Sequence, residues 1–154
     1  MNRKQMAEKL LEMFGYDELP VKWSMDYALE FNPEDCITPV AMYVEEPSPI
    51  TYVELARING EQHEHVRSLN LPVSYHLLAI LHEIGHLESC QEDYDTYEKD
   101  LETLEIMYRK NLIDEKNYIS LYNSLENEKN ADNWAINWVK NNKKLAIMLD
   151  KQLD

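Results

Sequence analysis

The sequence predicts an α+β protein in which a small sheet comes first and a helical half follows. Its 154 residues suit a single domain over 1–154, which is large enough to bury a core. Apolar residues alternate strictly with other residues over 21–31, whereas after Pro72 they recur with helical spacing. We therefore expect a strand-rich region over 20–58 and a helical region over 72–153.

Three segments of the first region are predicted to be strands. VKWSMDYALEF, over 21–31, alternates six times, which is typical of a strand with one buried face. VAMYVEE, over 40–46, and ITYVELARI, over 50–58, follow the loop NPEDCITP and are joined by the turn-like PSP. These segments predict a three-stranded antiparallel or mixed sheet, packed on the helical half.

Helical patterns occupy the remainder of the chain. The N-terminal stretch is predicted to be an amphipathic helix with Met6, Leu10, Met13 and Phe14 on one side. The stretch over 114–142 predicts one long helix or two shorter ones, with Asp114 as the N-cap. Three further helical segments are expected, over 73–90, 97–112 and 143–153.

The chain carries a formal net charge of −14. This balance argues against direct binding of nucleic acid, because phosphate contacts need clustered Lys and Arg. It is compatible with a protein that binds a basic partner or imitates DNA, although an acidic surface by itself also keeps proteins soluble.

Two observations predict a cytoplasmic protein that does not bind a membrane. No apolar run approaches the ~20 residues of a membrane span, and the N-terminus lacks the apolar centre of a signal peptide. Cys36 and Cys90 are too few for a disulfide scaffold, so both are predicted to be free thiols.

A metal-binding motif lies in the first helix after Pro72. The segment HEIGH places His82 and His86 one helical turn apart, so both imidazoles can reach a single ion. Glu83 lies on the flank between them, suited to act on a water at that ion rather than to bind it. The motif predicts a Zn²⁺ site with Glu83 as the catalytic residue. The structural alternative is a helix with two half-buried histidines.

Two histidines do not complete such a site, which usually takes three protein ligands. Downstream, Glu128 could supply a carboxylate oxygen, and Asp132 one turn later could fix a ligand histidine through its far ring nitrogen. Glu126 competes for the ligand role, but Asn130 rather than an acid follows it by four residues. Small residues would let the two helices pack closely: Gly85, Ala131 and Ala135.

HEIGH followed by EKNADNWA resembles the gluzincin-type zinc metallopeptidases, and within them the ImmA/IrrE family. That family pairs a HExxH helix with a helix of the form E-x-x-A-[ND]-x-aromatic-A. The second pattern is matched here by Glu128, Ala131, Asp132, Trp134 and Ala135. The resemblance covers residues 40–140. In two respects the chain departs from the family: an extra charged helix lies between His86 and Glu128, and INWVKNN replaces a leucine-rich, proline-ended continuation.

The resemblance implies that His82, His86 and Glu128 bind zinc and that Glu83 is the general base. It implies an endopeptidase acting on a protein or peptide substrate, with a phage or mobile-element regulator as the expected class. The substrate is expected to extend along ITYVELARI as an edge strand. Several residues stay open as the oxyanion-stabilising group: Tyr94, Tyr97, Tyr118, Tyr122 and His76. The alternative function is an acidic protein-binding module, a DNA mimic or an inactive relative, that sequesters a basic partner.

Overall fold

The computed structural model describes residues 1–18, 21–23, 38–41, 53–56, 67–89 and 94–153. Helices account for most of these residues: α1 (Arg3–Met13), α2 (Tyr75–Ser89), α3 (Tyr94–Arg109), α4 (Glu115–Ser124), α5 (Glu126–Asn141) and α6 (Lys143–Asp150). The strands within the same ranges are short: β1 (Val21–Trp23), β2 (Thr38–Ala41) and β3 (Val53–Ala56).

The predicted α+β class is wrong for the described part of the chain, which is helical. Strand geometry there is confined to segments of three or four residues, and most of 21–31, 40–46 and 50–58 lies outside the described residues. Most of the buried apolar residues that the structure describes lie on helices. Helix packing therefore supplies most of the described core. Alternating apolar residues predict the periodicity of a strand, but they do not predict how much surface that strand buries.

β3 lies between β1 and β2 among the described strands. It pairs with β1 in parallel and with β2 antiparallel, with Val21 opposite Val53 and Thr38 opposite Ala56. The prediction that ITYVELARI forms an edge strand is therefore wrong in this part of the sheet. β2 lies at one edge, a position that tolerates Pro39 because proline has no N–H to donate.

Local signals in the sequence explain several helix boundaries. Asn2 caps α1 by accepting a hydrogen bond from the Gln5 backbone N–H, and the Gln5 side-chain oxygen accepts one from the Asn2 backbone N–H. The predicted N-cap Asp114 is confirmed, because it accepts from the Asn117 N–H at 2.8 Å. The stretch over 114–142 forms two helices, separated at Leu125, whose ψ of 142° is extended.

The core is formed largely by one face of α2 together with α1, α5 and α6. Leu77 and Leu81 of α2 and Leu10 of α1 are completely buried. Phe14 packs edge-on against Trp134 and Trp138 of α5, with ring centroids 5.2 and 5.8 Å apart. This arrangement leaves the other side of α2, with its histidines, facing α5. None of the helices in the described ranges is both long and apolar enough to cross a bilayer.

Candidate metal centre

The two motif histidines lie on α2 one turn apart, as the sequence predicts. Their rings are perpendicular, with centroids 4.8 Å apart. Gly85 lies between them in the sequence and allows α5 to approach: a Cβ added there would lie 2.6 Å from the carbonyl oxygen of Ala131. This contact brings the first turns of α5 to the histidine side of α2.

Glu128 enters the site from α5 and lies between the two imidazoles. Its side chain is 1 % exposed. Oε2 is 2.9 Å from Nε2 of His82, and Oε1 is 3.3 Å from Nε2 of His86. One potential ligand atom from each of these three residues lies within 4.8 Å of the other two, so the group could hold a metal ion.

Asp132 lies one turn beyond Glu128 and contacts the opposite side of the His82 ring. Its Oδ1 is 2.7 Å from Nδ1 of His82. A carboxylate in this position accepts a hydrogen bond from the Nδ1–H, which keeps a proton on Nδ1 and leaves Nε2 as the nitrogen that faces Glu128. This is the hydrogen bond expected for Asp132 from the sequence, and its role beside a metal ligand stays a prediction.

Glu83 is nearly buried, at 8 % exposure, although it carries an ionisable carboxylate. Its negative charge contributes to raising the pKa of His82, which indicates that the two groups are close. Glu83 is not among the three residues that could hold the ion. The roles expected from the motif, metal ligand for the two histidines and general base for Glu83, stay predictions.

The ionisation of the cluster follows from its pairing. Burial lowers the pKa of His82, but hydrogen bonds to Asp132 and Glu128 raise it more, so that the net pKa lies well above 6.5. Burial raises the pKa of Glu128, but the charge of His86 and hydrogen bonds to both histidines lower it well below 4.5. Without a metal, a protonated His82 therefore neutralises a buried carboxylate.

Two tyrosines also approach Glu128. The Tyr97 hydroxyl, from the first turn of α3, donates a hydrogen bond to Oε1 of Glu128 at 2.8 Å. Burial and the negative charge of Glu128 raise the pKa of Tyr97, and they raise that of Tyr122 on α4 as well. Both tyrosines are among the oxyanion donors that the sequence left open, but their contact with Glu128 was not predicted. No spacing rule links residues on separate helices, so the sequence held no local signal for it.

The remaining candidates do not join the cluster. Glu126 begins α5 and is exposed. His76 lies within hydrogen-bonding distance of Arg3 on α1, at 3.1 Å. Tyr118 stacks on Tyr122. The side chain of Tyr94 lies outside the described residues.

The donor set fits a transition-metal ion. Two imidazole nitrogens and one carboxylate oxygen are ligands that zinc and related ions accept, and carboxylate-only sites favour magnesium or calcium instead. The group is held by two helices in close contact, and Asp132 contacts one of its histidines.

Known proteins provide no match to this chain: no family model, no curated protein and no solved structure is significantly similar to it. The resemblance to gluzincins and to the ImmA/IrrE family therefore stays a prediction.

Proposed function

We propose that this protein is a zinc-dependent endopeptidase of the gluzincin type. The observation that carries the proposal is the convergence of His82, His86 and Glu128 from two helices, with a nearly buried Glu83 on the same helix as the histidines. A structural helix pair has no need to bury two carboxylates beside two imidazoles, because such groups lose hydration that their pairing only partly restores.

The chemistry divides between the bound ion and the residues around it. Zinc held by His82, His86 and Glu128 would supply a Lewis acid for the scissile carbonyl and acidify a water molecule. Glu83 accepts the proton of the attacking water on its carboxylate and then donates it to the leaving amine. Asp132 keeps the proton of His82 on Nδ1, so Nε2 stays free to act as a ligand.

The expected substrate is a protein. The resemblance favours a phage or mobile-element regulator, because members of the ImmA/IrrE family are often encoded on such elements and some act on repressors. The net charge of −14 would favour a substrate with a basic surface. The same charge supports the second candidate, an acidic module that sequesters a basic partner without cleaving it.

Glu83→Gln tests the peptidase proposal. The amide has nearly the shape of the carboxylate but cannot accept the proton, so cleavage should fall by about 10²–10⁴-fold. Zinc content and thermal stability should stay close to wild type, because Glu83 is not a ligand. The measurement is cleavage of a set of repressor-like and unfolded proteins by wild type and variant at equal zinc occupancy.

Zinc content of ligand variants provides the matched control. Glu128→Ala should lose zinc, whereas Glu126→Ala, an exposed acid two residues earlier on α5, should keep it. Undiminished cleavage by Glu83→Gln would contradict the mechanism. A zinc-loaded wild type that cleaves nothing across the set, yet binds a basic protein, would favour the sequestering module.

A further inference from the structure

We propose that Tyr97 is a positioning residue for the metal ligand Glu128: its hydroxyl fixes the carboxylate between the two histidines and thereby sets the metal affinity. The inference rests on the proposed function, since it assigns Glu128 as a ligand. It gives α3 a role in the site. α3 lies between His86 and Glu128, where the chain departs from the ImmA/IrrE pattern.

The carboxylate needs such a partner because of where it lies. Rotation about the last torsion of a glutamate side chain is broad, so its two oxygens are not fixed by the backbone. Bulk solvent does not order them here, because Glu128 is 1 % exposed. The Tyr97 hydroxyl donates to Oε1 at 2.8 Å and so holds one of these oxygens in place.

The position of Tyr97 is itself determined by packing. α3 packs against α4, and α4 packs against α5, which carries Glu128. Leu104 of α3 and Ile119 of α4 are buried, at 7 % and 6 % exposure, so apolar contacts hold these helices. The hydroxyl is therefore presented by a helix and not by a loop.

Tyr97 contacts a ligand, whereas an oxyanion-stabilising residue would contact the substrate. The two roles have different consequences. Loss of a partner that orients a ligand weakens metal binding by about 10–100-fold. Loss of an oxyanion donor lowers kcat and leaves metal binding unchanged.

Tyr97→Phe tests the inference in the full chain, because it removes one hydroxyl and keeps the ring. Competition with a chromogenic chelator should give Zn²⁺ binding about 10–100-fold weaker than wild type. The visible absorption of the Co²⁺-substituted protein should shift, because a carboxylate that can rotate changes the coordination geometry. Asp132→Asn, which alters the corresponding hydrogen bond to His82, should give a loss of similar size.

Tyr108→Phe is the matched control. Tyr108 lies on the same helix, is 40 % exposed and packs against the Tyr118 ring, so loss of its hydroxyl should leave the affinity and the Co²⁺ spectrum unchanged. If Tyr97→Phe does not fold, as judged by circular dichroism, Tyr97→Met retains an apolar side chain without the hydroxyl and takes its place.

Two results would overturn the inference while the proposed function survives. One is a wild-type affinity and Co²⁺ spectrum for the hydroxyl-free variant. The other is a fall in kcat at unchanged metal affinity, which would make Tyr97 a substrate-contacting residue. A wild-type protein that binds neither Zn²⁺ nor Co²⁺ would instead overturn the proposed function, and the role of Tyr97 with it.

Discussion

Glu128 illustrates at the scale of one residue how a charge is retained inside this protein. An unpaired carboxylate in the interior costs several kcal/mol, so its neighbours must compensate for the lost hydration. Here the compensation comes from a protonated His82, from His86 and from the Tyr97 hydroxyl. A metal ion held by the same residues would replace the proton on Nε2 of His82, so proton and metal compete for one position.

The shifted pKa values predict how the metal-free protein responds to pH. The pKa of His82 is raised, so its contribution to stability is complete below pH 6.5 and is lost as pH rises through the folded-state value. The pKa of Glu128 is lowered, so its contribution is complete above pH 4.5 and is lost as pH falls through the folded-state value. Chelator-treated protein should therefore lose thermal stability as pH rises above 6.5 and through the folded-state pKa of His82.

The comparison that isolates the cluster uses His82→Gln, which keeps the size of the side chain but cannot be protonated in this range. Its metal-free Tm should lack the alkaline decline. Zinc-loaded wild type should instead become more stable over the same range, because deprotonated histidine is the ligand form. A metal-free wild type whose Tm is flat or rises above pH 6.5 would show that His82 carries no extra proton.

At this scale, helical spacing in the sequence predicts which of the candidate side chains share a helix face. His82, Glu83 and His86 lie within one turn and a half of α2, and Asp132 lies one turn after Glu128. Local periodicity is enough to place each pair on one face. Tyr97 reaches Glu128 only through the packing of α3 and α4, and no sequence period encodes that geometry.

At the scale of elements, the grouping of His82, His86 and Glu128 depends on how closely α2 and α5 approach each other. Gly85 meets the backbone of Ala131, and Ala131 and Ala135 are almost completely buried. The nearest atoms to a Cβ at position 85 are backbone atoms, so no side-chain rotation could relieve a clash. The distance between the helices in turn sets the distance between the histidines and Glu128.

Gly85→Ala should therefore destabilise the protein, although alanine normally favours a helix interior by about 1 kcal/mol over glycine. The added Cβ would lie 2.6 Å from the Ala131 oxygen and 2.9 Å from its Cα, so α5 must move outward. We expect a loss of about 1–3 kcal/mol in the free energy of unfolding, measured by urea denaturation. Zinc affinity should fall as well, because the ligands come from both helices.

Asn137→Ala provides the control for helix propensity, since it lies on an exposed position of α5 and adds no contact with α2. It should leave stability unchanged or raise it by a few tenths of a kcal/mol. A Gly85→Ala variant at least as stable as wild type, with normal zinc content, would mean that the helices are not held at this distance.

Element boundaries were predictable where a local signal existed. The side chains of Asn2 and Asp114 fix the starts of α1 and α4. The break at Leu125 has no proline or glycine to mark it. The sequence therefore did not distinguish one long helix from two shorter ones over 114–142. The extent of the strands could not be predicted, because strand length depends on partners that lie far away in the chain.

At the scale of the whole molecule, the two ends of the chain meet around the start of the motif helix. Arg3 of α1 contacts His76, and Lys9 of α1 donates to Gln152 beyond α6. Ser74, immediately before α2, donates from its backbone N–H to Asp150 at 2.9 Å and from its hydroxyl to the same carboxylate. Helices far apart in sequence thus hold the end of α2 opposite the metal group.

Asp150→Ala should weaken the contacts that hold the start of α2, without changing the arrangement of His82, His86 and Glu128. The substitution removes both acceptors for Ser74 and a negative charge from the positive end of α2, which together should cost about 1–3 kcal/mol. The measurement is the free energy of unfolding of metal-free protein, with Lys151→Ala, an exposed neighbour, as the control that should change it little. Zinc affinity measured well below the unfolding temperature should equal that of wild type, because α2 and α5 keep their contact at Gly85. Loss of zinc affinity in Asp150→Ala at unchanged stability would contradict the view that the start of α2 supports stability while its histidine-bearing part binds the metal.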